Sequence, residues 1–306
     1  MVKPCRDSAG DMTTSHIPVI NMATRTNKIR EVLADARIIV RKYGHIGKYA
    51  KHIVALVIRQ WKRLNSDKEL CDFLSRDPIG RVLGYKTKFS HTIFSKVRKI
   101  AEPIMRELFG VTSYEALKGR VVRMIAQDST DVSAYSKNDG DARYGHRTPS
   151  KKEQIASKDT EKSFVFGYKL HMIVDAETEL PSAICIAPAN RNDKIFFHKL
   201  YDAAKRLHRV HLNPNPKYLA DAAFDSTDIY QELHYDRVKP LIAINGRGFY
   251  KSRVPMDPDY GKRWSVERVF SRLKEVFGMA KNRFVGIGRV SVHIYSCLIA
   301  YLLKYG

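Results

Sequence analysis

Near residue 120 the spacing of apolar residues changes, and that switch limits the chain to two kinds of structure joined in series. Before it, IREVLADARIIVRKY (29–43) and HIVALVIRQWKRL (52–64) place apolar residues three and four apart, the period of a helix. After it come short apolar runs bounded by turn residues: VVRMIA (121–126), FGYKLHMIVDA (166–176), LPSAICIAPAN (180–190), KYLADAA (217–223) and VKPLIAIN (238–245). Between and after the last of these lie the helical patterns DKIFFHKLYDAAKRLH (193–208), TDIYQELHYD (227–236) and RWSVERVFSRLKEVFG (263–278), the last stopped by Gly278. Three strands followed by alternating helix and strand is an α/β order. The reading is an α/β fold, a mixed sheet flanked by helices, preceded by an all-α N-terminal region.

Finer boundaries follow from capping and breaking residues. Residues 1–25 are polar and aperiodic and read as a flexible lead-in. A helical region spans 26–115 and the α/β part 118–306. Ser66 with Glu69 reads as a capping box opening a helix over 66–76, before Pro78. Gly80 and Gly84 mark a turn. Ser90 then caps a second helix, 91–108, which Pro103 should kink or break. Short helix, turn and basic helix is helix-turn-helix grammar, so Lys96, Arg98 and Lys99 are read either as groove-reading cations or as a packed or solvated face. The polar stretch 138–162 is expected to be a flexible surface loop. VSVHIYSCLIAYLL (290–303) is too short and too interrupted by His293 and Ser296 to span a bilayer, and reads as a buried helix. The N-terminus has no apolar core of a signal peptide, so no membrane association is expected.

Charge narrows the function. Lys plus Arg number 54 against 32 Asp plus Glu, a formal net charge of +22 over 306 residues. A phosphate backbone is the partner that rewards such self-repulsion, since each neutralised phosphate releases counterions. The four cysteines, Cys5, Cys71, Cys185 and Cys297, are far apart in sequence and form no disulfide framework or zinc ribbon, which fits a reducing cytoplasm.

Three acids fall at element ends in the second half. Asp128 follows the first run, Asp221 follows KYLA, and Glu267 lies within the helix beginning near Arg263. Hard oxygen donors of this kind suit Mg²⁺ or Mn²⁺ rather than zinc. Two such ions held together serve an attacking and a leaving oxygen in phosphodiester chemistry. If the helix reaches back to Tyr260, then Tyr260, Arg263, Glu267 and Lys274 share one stripe, and Val266, Val269, Phe270, Leu273 and Phe277 form the apolar face. The same stripe also reads as surface ion pairing, such as Arg263 with Glu267.

The pattern Tyr260-x2-Arg263-x3-Glu267-x6-Lys274 resembles the Y-R-E-K signature of the DDE transposases of bacterial and archaeal insertion sequences. AQDSTDV (126–132) resembles that family's first-aspartate segment, FGYKLHMIVDAETELPSAICIAPANRND (166–193) the block between its first two acids, and YLADAAFDS (218–226) its second-aspartate segment. The resemblance runs from about 120 to 305. It implies a ribonuclease-H-like core in which Asp128, Asp221 and Glu267 bind two Mg²⁺ ions, Mn²⁺ substituting, while Tyr260, Arg263 and Lys274 grip DNA phosphates. It also implies cut-and-paste transposition: hydrolysis freeing a 3′-OH at the element's end, then strand transfer into target DNA. The implied partners are double-stranded DNA, as terminal inverted repeats and target, and a second copy forming a homodimer on DNA. The implied setting is a prokaryotic, nucleoid-associated protein. Two other readings stand beside it: a non-catalytic DNA-binding protein derived from a transposase, and a ribonuclease-H-like nuclease without strand transfer. The 46 positions from Asp221 to Glu267 leave no room for the long β-rich insertion of larger relatives.

Other residues are weighed on the same terms. Asp131 is an alternative first ligand. Asn192 and Asp193 read as helix caps or as active-site support. His171 reads as packed, and Asp225 as a turn residue. Trp264 and Phe284 are expected in the core, with stacking on a displaced base as the alternative.

Overall fold

The computed structural model describes residues 22–44, 48–85, 89–147, 163–208, 214–246 and 253–306. The expected lead-in falls outside the described residues up to position 21, and so does 148–162 of the expected loop.

The helical part comprises α1 (Met22–Lys42), α2 (Lys48–Trp61), α3 (Asp67–Arg76), α4 (Pro78–Val82), α5 (Thr92–Arg98) and α6 (Glu102–Leu117). The cap forms with one difference from the expected box: Ser66 Oγ accepts the Glu69 N–H at 3.1 Å, but Glu69 accepts the N–H of Asn65, one residue before the cap, at 2.8 Å. Between Gly80 and Gly84 the expected turn is replaced in part by the short α4, which Asp77 caps through the Ile79 N–H at 2.9 Å. Gly80 itself is required by packing, since a Cβ there would lie 1.7 Å from the Leu74 carbonyl oxygen. Pro103 does not kink a helix interior. The break comes earlier, after Arg98, and Pro103 sits in the first turn of α6, where its missing N–H costs nothing.

The α/β part carries β1 (Met124–Ser133), β2 (Arg143–Arg147), β3 (Ser163–Asp175), β4 (Pro181–Pro188), α7 (Phe197–His208), β5 (Lys217–Ala220), α8 (Thr227–Tyr235), β6 (Lys239–Ile242), α9 (Trp264–Glu275) and α10 (Ile287–Tyr305). The sheet runs β2-β3-β1-β5-β6, with β4 also on β3. The pairs of β3 with β1, β2 and β4 are antiparallel, and β1–β5 and β5–β6 are parallel. This is the expected mixed sheet flanked by helices, behind a helical N-terminal region.

Two expectations about strands are corrected. The first strand does not end before Asp128. It starts at Met124 and continues to Ser133, because its polar residues stay in antiparallel register with β3 as far as Ser133 opposite Gly167. The expected loop 138–162 contains β2, whose Arg143–Arg147 pair with Ser163–Gly167. Its polar and glycine-bearing sequence hides the strand, and hydrogen bonding to β3 makes it.

Helix α10 is buried through Val290–Leu303, as its apolar sequence implies, and no described helix is long and apolar enough to cross a membrane. It packs on α2, α6 and β4. One apolar core therefore runs from Ile29 of α1 to Leu303 of α10, joining the helical part to the sheet.

Candidate functional site

Strand register determines where the first two acids meet. In the parallel pair, Met124, Ile125 and Ala126 lie level with Lys217, Tyr218 and Leu219. Carried two residues further, the same register sets Asp128 beside Asp221, at the point where β5 ends. Each carboxylate is held by a backbone donor: Asp128 Oδ1 accepts the Ser129 N–H at 2.7 Å, and Asp221 accepts the Ala223 N–H at 2.9 Å.

Helix α9 supplies the third acid. Its apolar stripe, Val266, Val269, Phe270 and Leu273, is buried, and the helix lies against β1 and β3. That leaves Arg263 and Glu267 facing the strand ends. Arg263 Nη1 lies 2.9 Å from Glu267 Oε1 and 3.5 Å from Asp128 Oδ2, so one guanidinium ties the helix acid to the strand acid.

The cost of gathering these charges appears in their proton affinities. Burial, then the charge of Asp221, pushes Asp128 up to about 7, against the pull of the Ser129 N–H and Arg263. Burial also raises Asp221, opposed by the Ala223 N–H and Arg263. Among the described residues no three His, Cys, Asp or Glu form a ready-made metal cluster. The donor chemistry nevertheless fits a hard divalent cation: the carboxylate oxygens of Asp128 and Asp221 lie side by side, both raised chiefly by burial, with Arg263 as the cation acting on both and Lys169 acting also on Asp221.

The remaining members of the stripe are placed differently. Tyr260 is not on α9: Pro258–Arg263 form a 3₁₀ turn capped by Asp257. The turn aims Tyr260 Oη at the Ala220 carbonyl, 3.3 Å away and next to Asp221. Lys274 stands two turns beyond Glu267, about 10 Å along the helix. Trp264 is not a core residue. It is 55% exposed at the rim, with the Arg263 guanidinium 4.9 Å from its ring centre. Phe284 packs on the core with Arg98 4.6 Å above its ring.

Behind Asp128, on the opposite face of β1, lies a second polar cluster. Successive strand residues alternate faces, so Ser129 and Asp131 point away from Asp128, and Asp131 pairs across with Lys169. Asp193 accepts from Ser129 Oγ at 2.8 Å and Lys169 Nζ at 3.1 Å, and lies 3.3 Å from His171 Nδ1. Asn192 caps the 3₁₀ turn that presents Asp193 by accepting the Lys194 N–H at 3.2 Å. His171 is buried and stacked on Phe196 at 4.1 Å, and burial lowers it to about 4. Asp225 accepts the Asn245 N–H at 3.0 Å, as a turn residue does.

Sequence reasoning passed over Lys169 and Ser129. Their signal was available: Lys169 and His171 are polar residues two apart in an otherwise apolar strand, hence on one face. In the helical part, Arg98 is buried, with Nη1 and Nη2 donating to Asp67 at 2.6 and 2.7 Å, while Lys96 and Lys99 stay exposed.

The sequence of this chain matches the transposase DDE domain family over residues 123–303. No curated protein matches it. Among solved structures it is similar to a piggyBac transposase, determined by cryo-EM in a synaptic complex with hairpin DNA. The two share 10% identity at a TM-score of 0.39, covering 84% of this chain and 66% of that one.

Proposed function

The chain belongs to the transposase DDE domain family, and on that premise we propose that it catalyses metal-dependent cut-and-paste DNA transposition as a member of the Y-R-E-K group of insertion-sequence transposases. The observation that carries this reading is the convergence of acids from β1, β5 and α9 around one arginine, Arg263, 2.9 Å from Glu267 and 3.5 Å from Asp128. Asp128, Asp221 and Glu267 are the metal ligands, for two Mg²⁺ ions with Mn²⁺ as substitute. When bound, such ions activate an attacking oxygen and stabilise a leaving one.

The chain's own residues do the rest. Arg263, relieved of its two carboxylates, presents a planar guanidinium to a non-bridging phosphate oxygen. Tyr260 positions the phosphate from the Asp221 side, and Lys274 grips a flanking phosphate. Water opens the phosphodiester at the element's end, and the freed 3′-OH attacks target DNA. The net charge of +22 suits a chain that tracks double-stranded DNA. The helical region, residues 26–115, grips the element's ends, and two copies assemble on DNA. A monomeric complex that completed both cleavages would sink the dimer.

The deciding test is cleavage and joining of DNA carrying the element's own ends, in Mg²⁺, Mn²⁺ or EDTA, beside Glu267→Gln. Metal-dependent joined product, lost in the variant, supports the reading. Cleavage without joined product turns it into a nuclease, and tight binding without cleavage into a non-catalytic DNA-binding protein.

A further inference from the structure

A concentration of positive charge lies away from the carboxylates, at the seam between the helical part and the sheet. Helices α2 and α9 both end there, around a half-enclosed pocket of about 100 Å³. That is room for an oxyanion such as a phosphate group with a few waters. Arg59, Arg63, Lys281 and Arg283 line it, and Glu275 is the one carboxylate among the lining residues.

Arg59 is the built part of this site. It is 9% exposed, and its Nη2 donates to the Asn65 carbonyl at 2.9 Å. Its Nε is buried with no acceptor among the described residues. Its ion-pair partner Asp67 lies 3.6 Å away and is already engaged by Nη1 and Nη2 of Arg98. The two helix C-termini would absorb about one unit of positive charge between them, and Glu275 absorbs another. Four cations therefore leave an excess of about two. Packing and helix ends alone do not require that excess, and an anion in the pocket would offset it.

We propose that this pocket binds a backbone phosphate of the DNA whose strand lies in the carboxylate site. The proposal rests on the DNA reading above. Glu275 is eight residues beyond Glu267 on α9, so the pocket sits roughly 12 Å along the helix axis from the acids. At 3.4 Å per nucleotide that is about three to four nucleotides from the reacting phosphate. The phosphate so held sets the register of the DNA against both halves of the chain, since Arg59 and Arg63 come from the helical part and Lys281 and Arg283 from the segment joining α9 to α10.

The test uses the full chain and a short labelled duplex, with affinity measured over a range of salt concentrations. Arg59 is buried, so the informative variant is the exposed pair Arg63→Ala/Arg283→Ala. Its control is Lys62→Ala/Lys68→Ala, which removes two exposed cations outside the pocket. Thermal unfolding of each, with and without inorganic phosphate, reports folding and free-anion binding. The expected result is a slope of log affinity against log salt reduced by about 1 in the pocket variant, with the control slope unchanged. Equal slopes in the pocket variant and the unaltered chain overturn the pocket while leaving DNA binding intact. No duplex binding by the unaltered chain overturns the DNA reading and the assignment with it. Phosphate stabilisation confined to the unaltered chain, with an unchanged slope, overturns the backbone source in favour of a free anion.

Discussion

Acidification should unfold this protein through His293, and the structure gives the size of the effect. The imidazole is buried on α10, between Gln60 of α2 and the Met279 carbonyl, each 3.3 Å from a ring nitrogen. Arg59 and Arg98 oppose a charge on it from the helical part, while the Met279 and Gly278 carbonyls favour one. Burial dominates and lowers His293 to about 4. In the unfolded chain it titrates near 6.5. The unfolded state therefore binds the extra proton first as pH falls, so stability is intact above 6.5 and is lost as pH falls toward 4. At 1.36 kcal/mol per unit, the loss is about 2 kcal/mol at pH 5 and about 3 kcal/mol by pH 4. His52 and His171 are also lowered to about 4, chiefly by burial, so other slope remains. His293→Gln isolates one part of it. Urea unfolding free energies of both proteins, measured between pH 7.5 and 4.5, should converge as pH falls, the variant's curve being flatter by about 1 kcal/mol per unit. Parallel curves would refute the reasoning, because they would mean that His293 is protonated as readily in the folded chain as in the unfolded one.

Arg98→Ala should cost about 3 kcal/mol of unfolding free energy, because it strips a bidentate partner from Asp67 and a cation from the face of Phe284. Arg98→Lys should recover less than half of that loss, and a cost near zero for Arg98→Ala would show that the pair is solvated. Gly167→Ala should abolish the folded near-ultraviolet circular dichroism, since its Cβ would lie 2.3 Å from the Val132 carbonyl oxygen and part β1 from β3. A fully folded variant would contradict that contact. Ser66→Ala should lower the unfolding free energy by about 1 kcal/mol, by removing the acceptor of the Glu69 N–H at the start of α3. An unchanged denaturation midpoint would show that the cap contributes nothing.

Local chemistry was legible wherever one stretch of chain decides the outcome. The apolar period of 290–303 announced a buried helix, Ser66 and Glu69 a capped one, and Gly278 the end of α9, because caps and periodicity act within a few residues. Asp128, Asp221 and Glu267 could be named from the sequence, together with the family signature around them. Their meeting place could not, because a parallel β1–β5 register is set by hydrogen bonds between segments some ninety residues apart. The same dependence on a distant partner explains the misses. Strand β2 exists only because β3 pairs with it. Tyr260 left the helical stripe because Asp257 caps a 3₁₀ turn beneath it. Trp264 stayed at the surface because the buried face of α9 is taken by Val266, Val269, Phe270 and Leu273. Residue type and spacing, by themselves, determined which groups carry charge and which helix faces are apolar. Only the tertiary structure decided which charges meet, because the pairing of strands and the depth of burial belong to no single segment.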